Sequence, residues 1–162
     1  MKIPLTLNGE PRTIEALADT KLMEALRKEA CVDVKCGCCR GLCGACAVLL
    51  NDAPVPSCIV PAAAARNCSV VTLSHFKTLP VYDDIDQAFR QAGVELCGYC
   101  DAGKIFAVYS LVTRQELPKR EEILPALASL ECRCVDENLL ANAVIYARAL
   151  RTRREKKDKN VR

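Results

Sequence analysis

Apolar and polar positions alternate at the start of the chain, and later give way to a spacing of three to four. Residues 3–7 place Ile3, Leu5 and Leu7 on one face, Asn8-Gly9 supplies a tight reversing turn, and residues 12–16 return as a second strand. Asp19 or Thr20 can cap a helix to about Ala30, with Leu22, Met23, Leu26 and Ala30 on one side. Residues 36–46 follow neither period. Residues 47–50 form a short apolar strand ending at Asn51-Asp52, residues 61–65 a short helix, and residues 70–73 a last strand. Beyond Leu79-Pro80 only the helical period remains. Asp83 or Asp84 caps a helix through Gln91 that turns Ile85, Ala88 and Phe89 inward and stops at Gly93. Further helices are expected over 104–114, with Ile105, Val108, Tyr109 and Val112 in register, and over 121–130 despite Pro125. A last helix follows Asp136, with Leu139, Leu140, Ala143, Val144, Ala147 and Leu150 inward. The fold class is α+β: a small sheet unit followed by four helices.

Composition changes this picture in three ways. With 162 residues, 51% of them apolar, the chain can fill one ordinary core, but two half-size cores would each be marginal. Bound metal would make up the shortfall. The net charge of +3 is uneven, because residues 151–162 hold seven Lys/Arg against two acids and leave the body slightly negative. That end reads as a solvated helix end or a docking strip. It lacks the interleaved aromatics of a nucleic-acid surface. Finally, there are twelve cysteines. The opening residues carry no apolar leader with a cleavage site, and no apolar run reaches the ~18 residues of a membrane span. A reducing cytoplasm is therefore the expected compartment, where clustered cysteines bind metal more often than each other.

Eight of the twelve fall into two ordered quartets. Cys38, Cys43, Cys46 and Cys58 are spaced C-x4-C-x2-C-x11-C, and Cys97, Cys100, Cys132 and Cys134 are spaced C-x2-C-x31-C-x-C. Four thiolates hold one iron–sulfur cluster, and the first spacing is the plant-type run for [2Fe–2S]. Two ferric ions, two sulfides and four thiolates sum to a dianion, which gains a further negative charge on reduction. Gly37, Gly41 and Gly44 let the backbone close on such a charge with its N–H groups, and Arg40 adds a cation to the loop. Around the second quartet two helix starts meet, with Arg133 between the last two ligands. Structural zinc is the alternative there, since zinc also takes four thiolates; C-x-C is unusual for it. Cys36 and Cys39 compete with Cys38 as ligands, and spacing favours Cys38. Cys31 and Cys68 read as small buried apolar residues, and His75 as an ordinary surface or packing residue. No catalytic residues are expected in this chain: hydrolytic triads, paired carboxylates and phosphate loops are absent.

These motifs resemble the small iron–sulfur subunit of the molybdenum hydroxylases, the xanthine dehydrogenase and carbon monoxide dehydrogenase family. The resemblance runs over roughly residues 2–150. It is carried by residues 34–58, with Gly41-Leu42-Cys43-Gly44-Ala45-Cys46 its strongest part, by Leu96-Cys97-Gly98-Tyr99-Cys100 with Gly103, and by Glu131-Cys132-Arg133-Cys134. It implies a ferredoxin-like β-grasp domain over 1–78, a four-helix bundle over 79–152 and a basic tail over 153–162. It further implies that this chain is the electron-transfer subunit of an oxidoreductase, with two [2Fe–2S] clusters. The second cluster would lie nearer a molybdenum cofactor in a large partner subunit, and the first nearer FAD in a medium one. The sequence departs from the family pattern in four places. Leu96 replaces a glutamine that can contact the pterin, Asp101-Ala102 replaces Thr-Pro before the glycine, Val135-Asp136-Glu137 replaces Thr-Gly-Tyr, and Arg40 replaces an acid.

Overall fold

The structure, a computed structural model, describes residues 1–114, 116, 118–128 and 134–160. Cys132 and Arg133 lie outside them. It is a mixed α+β fold with a five-stranded sheet and several helices. Strands β1 (Lys2–Leu7) and β2 (Glu10–Glu15) form the expected hairpin, with Asn8 and Gly9 both at positive φ (53° and 85°) as a type I′ turn requires. Helix α1 (Leu22–Lys28) follows, then β3 (Ala47–Leu50), β4 (Ala53–Pro56) and β5 (Ser69–Val71). The sheet order is β2-β1-β5-β3-β4; β1 and β5 run parallel, and the other pairs antiparallel.

Two local expectations are corrected here, and one strand is added. The first turn of α1 is not capped by Asp19 or Thr20. Lys21 is the N-cap, and the amides of Leu22 and Met23 donate to the carbonyls of Val60 (2.8 Å) and Ser57 (3.1 Å). The segment around Cys58 thus satisfies the open end of α1 and is held by it. Strand β4 is an addition to the expected elements; the sheet accommodates its Pro54 and Pro56 because β4 is an edge strand. Leu73 does not extend β5; it begins α2 (Leu73–Phe76).

The second half holds α3 (Pro80–Ala92), α4 (Asp101–Val112), α5 (Arg120–Ala128) and α6 (Glu137–Asn160). Helix α3 starts earlier than the aspartates suggested, with Pro80 in its first turn, and ends as expected on Gly93 at φ 71°. Asp136 caps α6 by accepting the Asn138 amide at 2.7 Å. Helix α5 continues through Pro125, and Arg120 near its start reaches Asn138 and Asn142 on α6. Phe76, fully buried on α2, meets Tyr82, Phe106 and Tyr109 edge-on, with centroids 5.0–6.3 Å apart.

Two apolar clusters result, and β3 belongs to both. Val48 packs with Ile3, Leu5, Ile14, Leu22 and Leu26, while its neighbours Ala47 and Leu49 point the other way, into the helices with Phe76, Ile105 and Phe106. The period-two alternation of one strand therefore joins the sheet to the helices.

Asp84 does not cap α3 but sits inside it, 7% exposed, and accepts from Arg154 of α6, whose Nε and Nη2 lie 2.9 and 2.8 Å from its Oδ2. The basic end of α6 is thus pinned to α3. Asp84→Ala leaves the Arg154 guanidinium without this carboxylate. Because that guanidinium is partly exposed, the expected loss is about 1–3 kcal/mol, below the cost of breaking a fully buried pair. Thermal unfolding checks it: Arg154→Met should lose a similar amount, and the double variant less than the sum. A melting temperature unchanged in both single variants would refute the pair's contribution.

Candidate functional site

The loop between α1 and β3 is fixed at its base. The Lys35 amide donates to Ala45 O, the Arg27 guanidinium to Val34 O (2.9 Å), and the buried Ser57 hydroxyl to Cys46 O (2.6 Å). The backbone between curls over Cys38, whose sulfur accepts the amides of Arg40, Leu42 and Cys43, each at 3.4 Å. The Cys38 amide in turn donates to Cys43 Sγ at 3.4 Å. The Arg40, Cys43 and Leu42 amides hold the Cys38 thiol down at about 6, a site shaped for negative sulfur. Burial, and a hydrogen bond shared with Cys46, push the Cys58 thiol up to about 11, against the pull of the Gly41 amide. The first quartet is thus two neighbouring pairs, Cys38 with Cys43 and Cys46 with Cys58, which suits two irons that each need two thiolates. Gly37 is required by space: a Cβ there would lie 2.6 Å from Cys43 Sγ. Arg40 contributes its amide to the sulfur, while its side chain is exposed.

Cys36 and Cys39 stand outside this curl. Both are exposed, and their sulfurs face each other at 3.0 Å. That shared hydrogen bond pushes the Cys39 thiol up to about 11. Cys31 is buried, and burial raises its thiol. Cys68 is half-exposed rather than buried, and its sulfur donates to Ala64 O and Arg66 O.

At the start of α4, the sulfurs of Cys97, Cys100 and Cys134 all lie within 4.8 Å of one another. Cys100 is buried; Cys97 and Cys134 reach the surface. The Tyr99 amide, with help from the Cys134 side chain, draws the Cys97 thiol below its ordinary value. Asp101 accepts the Gly98 amide at 3.0 Å and so shapes the 97–100 turn. Leu96 is half-buried against the helical core.

The two sites abut. Gly103 on α4 lies so close to the first loop that a Cβ there would be 2.7 Å from Gly44 Cα. The Tyr99 hydroxyl donates to Cys36 O at 3.0 Å, and the Lys35 ammonium donates to Gly98 O. Reading the sequence missed these bridges, and also Lys104, a buried lysine whose Nζ lies 3.3 Å from Cys100 Sγ and 3.8 Å from Cys134 Sγ. A signal for it was present: a lysine four residues after a cysteine, among apolar neighbours, on a helix.

Comparison with known proteins agrees with this geometry. Residues 5–69 match the 2Fe-2S iron-sulfur cluster binding domain family, and residues 72–145 the [2Fe-2S] binding domain family. The second match decides against zinc at the second quartet. The nicotinate dehydrogenase small FeS subunit of Eubacterium barkeri is 36% identical over 90% of this chain and 93% of its own length. The xanthine dehydrogenase iron-sulfur-binding subunit of Escherichia coli O157:H7 is 34% identical, with 88% and 91% covered. Among solved structures, quinoline 2-oxidoreductase from Pseudomonas putida 86 superposes with a TM-score of 0.80 at 29% identity, over 94% of this chain and 96% of that one. Aldehyde oxidoreductase from Desulfovibrio desulfuricans gives 0.79 at 31%, but this chain spans only 17% of it.

Proposed function

Because the chain belongs to the family of small iron–sulfur subunits of the molybdenum hydroxylases, we propose that it relays single electrons from a molybdenum-cofactor large subunit to an FAD medium subunit or another acceptor. Cys38, Cys43, Cys46 and Cys58 would hold the first [2Fe–2S] cluster, and Cys97, Cys100, Cys132 and Cys134 the second. Each cluster, when bound, supplies a reversible one-electron step. The chain's own contribution is placement and charge. The amides of Arg40, Leu42 and Cys43 stabilise negative sulfur at the first site. Its architecture is read as a ferredoxin-like β-grasp unit over 1–78 joined to a four-helix bundle, α3 to α6, over 79–152, with hetero-oligomeric assembly in the cytoplasm. Among the described residues no helix is long and apolar enough to cross a membrane.

The contact of Gly103 with Gly44 carries this reading. Two glycines bring the backbones of both cysteine segments together with no side chain between them, which keeps the path between the two sites short. A test uses the chain purified anaerobically with its native partners. The complex should contain molybdenum and flavin, and oxidation of substrate in the large subunit should reduce the flavin. When this chain carries Cys100→Ser, flavin reduction should fall at least 100-fold, while a dye that draws electrons from the large subunit directly is still reduced. Flavin reduction at the full rate without the second cluster would defeat the relay.

Leu96 favours a second reading, a two-cluster relay with no direct contact to the molybdenum cofactor. Its side chain packs into the helical core and offers no hydrogen bond to a pterin. Leu96→Gln distinguishes the two: it changes molybdenum retention only if this segment touches the cofactor.

A further inference from the structure

Among the described residues of the helical half two charged side chains are buried, Asp84, which Arg154 meets, and Lys104. Lys104 is 2% exposed, among the largest fully buried side chains of the protein. It sits one turn along α4 from its N-cap, Cys100, with Ile105 and Phe106 beside it. The stem therefore runs within the core, and Nζ ends 3.3 Å from Cys100 Sγ and 3.8 Å from Cys134 Sγ. Both sulfurs belong to the trio that converges within 4.8 Å.

Burying an ammonium costs several kcal/mol unless it meets opposite charge. Neutral thiols are weak acceptors and cannot offset that cost. Thiolates held by iron carry negative charge, and an ammonium gives them charge-assisted N–H···S bonds. Residues placed around cluster sulfurs govern how readily an electron is taken up, through hydrogen bonding, net charge and burial. Lys104 supplies all three at once.

We propose that Lys104 is a positioning residue for electron uptake at the second site, its ammonium donating to Cys100 and Cys134 and so making reduction of the cluster held there more favourable. The proposal rests on the two-cluster reading above. One electron arrives from the substrate-oxidising partner and later leaves toward the first site. No bond forms or breaks at Lys104, and its protons stay in place. The added negative charge lies beside a fixed positive one in a poorly hydrated pocket, where the attraction is far stronger than in water. Lys104 thereby sets the two sites apart: backbone amides converge on Cys38, whereas a side-chain cation reaches Cys100.

The test is an anaerobic redox titration of the full chain, loaded with both clusters and followed by EPR, in Lys104→Met and Lys104→Arg. In Lys104→Met the reduction equilibrium of the second cluster should become at least tenfold less favourable, a downward shift of about 59 mV for one electron. Lys104→Arg should stay within about threefold of the parent, as expected where charge rather than shape matters. The first cluster's potential should not move in either. An unchanged second midpoint in Lys104→Met with about four irons bound, or an equal shift in Lys104→Arg, overturns the proposal. Should Lys104→Met assemble only the first cluster, Lys104→Arg decides: a full iron complement with the parental midpoint upholds the charge, and loss of the cluster there too refutes it. A parent chain with a single cluster would instead remove the two-cluster reading itself.

Discussion

Cys38→Ser and Cys100→Ser are each expected to take the full chain from about four irons to about two, and each to erase a different one of two rhombic EPR signals. The effect is large because a two-iron cluster has no spare protein ligand. At the first site Cys38 is also the sulfur on which three amides converge, so Cys38→Ser leaves the Arg40, Leu42 and Cys43 amides facing a smaller, neutral hydroxyl in place of negative sulfur. Cys36→Ser and Cys39→Ser should keep both signals, because those sulfurs face each other outside the curl. Iron and sulfide analysis with EPR at low temperature reads all four variants. If Cys39→Ser lost a cluster while Cys38→Ser kept it, the ligand register in this loop would shift by one.

Gly103→Val should have the second-largest effect. The added Cβ would sit 2.7 Å from Gly44 Cα and 3.2 Å from Gly44 C and O, all backbone atoms that no rotamer change can move aside. Overpacking of this kind costs about 1–3 kcal/mol even where side chains can yield. Here the first loop must lift from α4. Both clusters should still assemble, but a lower melting temperature should accompany slower electron exchange and weaker magnetic broadening between the two EPR signals. A variant with the parent's melting temperature and broadening would show that the contact has slack.

Features written in neighbouring residues could be read in advance. The Asn8-Gly9 hairpin, the Gly93 helix stop and the Asp136 cap each depend on a local backbone rule, and each is where the sequence placed it. The α+β class was legible too, and of the second cysteine group Cys97, Cys100 and Cys134 converge, while Cys132 lies outside the described residues. What failed depended on distant partners. Thr20 looked like a cap, but the open amides of α1 are met by carbonyls near Cys58, some forty residues on. No strand was assigned to residues 53–56, which hold Pro54 and Pro56; the edge position of β4 makes these prolines harmless. Asp84 looked like a cap and is instead half of an ion pair with Arg154, 70 residues later. Spacing groups the cysteines but does not say which residues surround them; hence Lys104 and the Gly103–Gly44 contact emerged only with the fold.

The outer strands carry a consequence for the newly made polypeptide. Both margins of the sheet are interrupted by proline, Pro11 on β2 and Pro54 and Pro56 on β4, and β2 adds Glu10, Arg12 and Glu15. An exposed strand without a full row of amides is a poor template for another copy, and charge on it repels further stacking. Copies waiting for iron, sulfide or a companion chain therefore lack a ready seam for fibre growth, and can persist dispersed until they are filled.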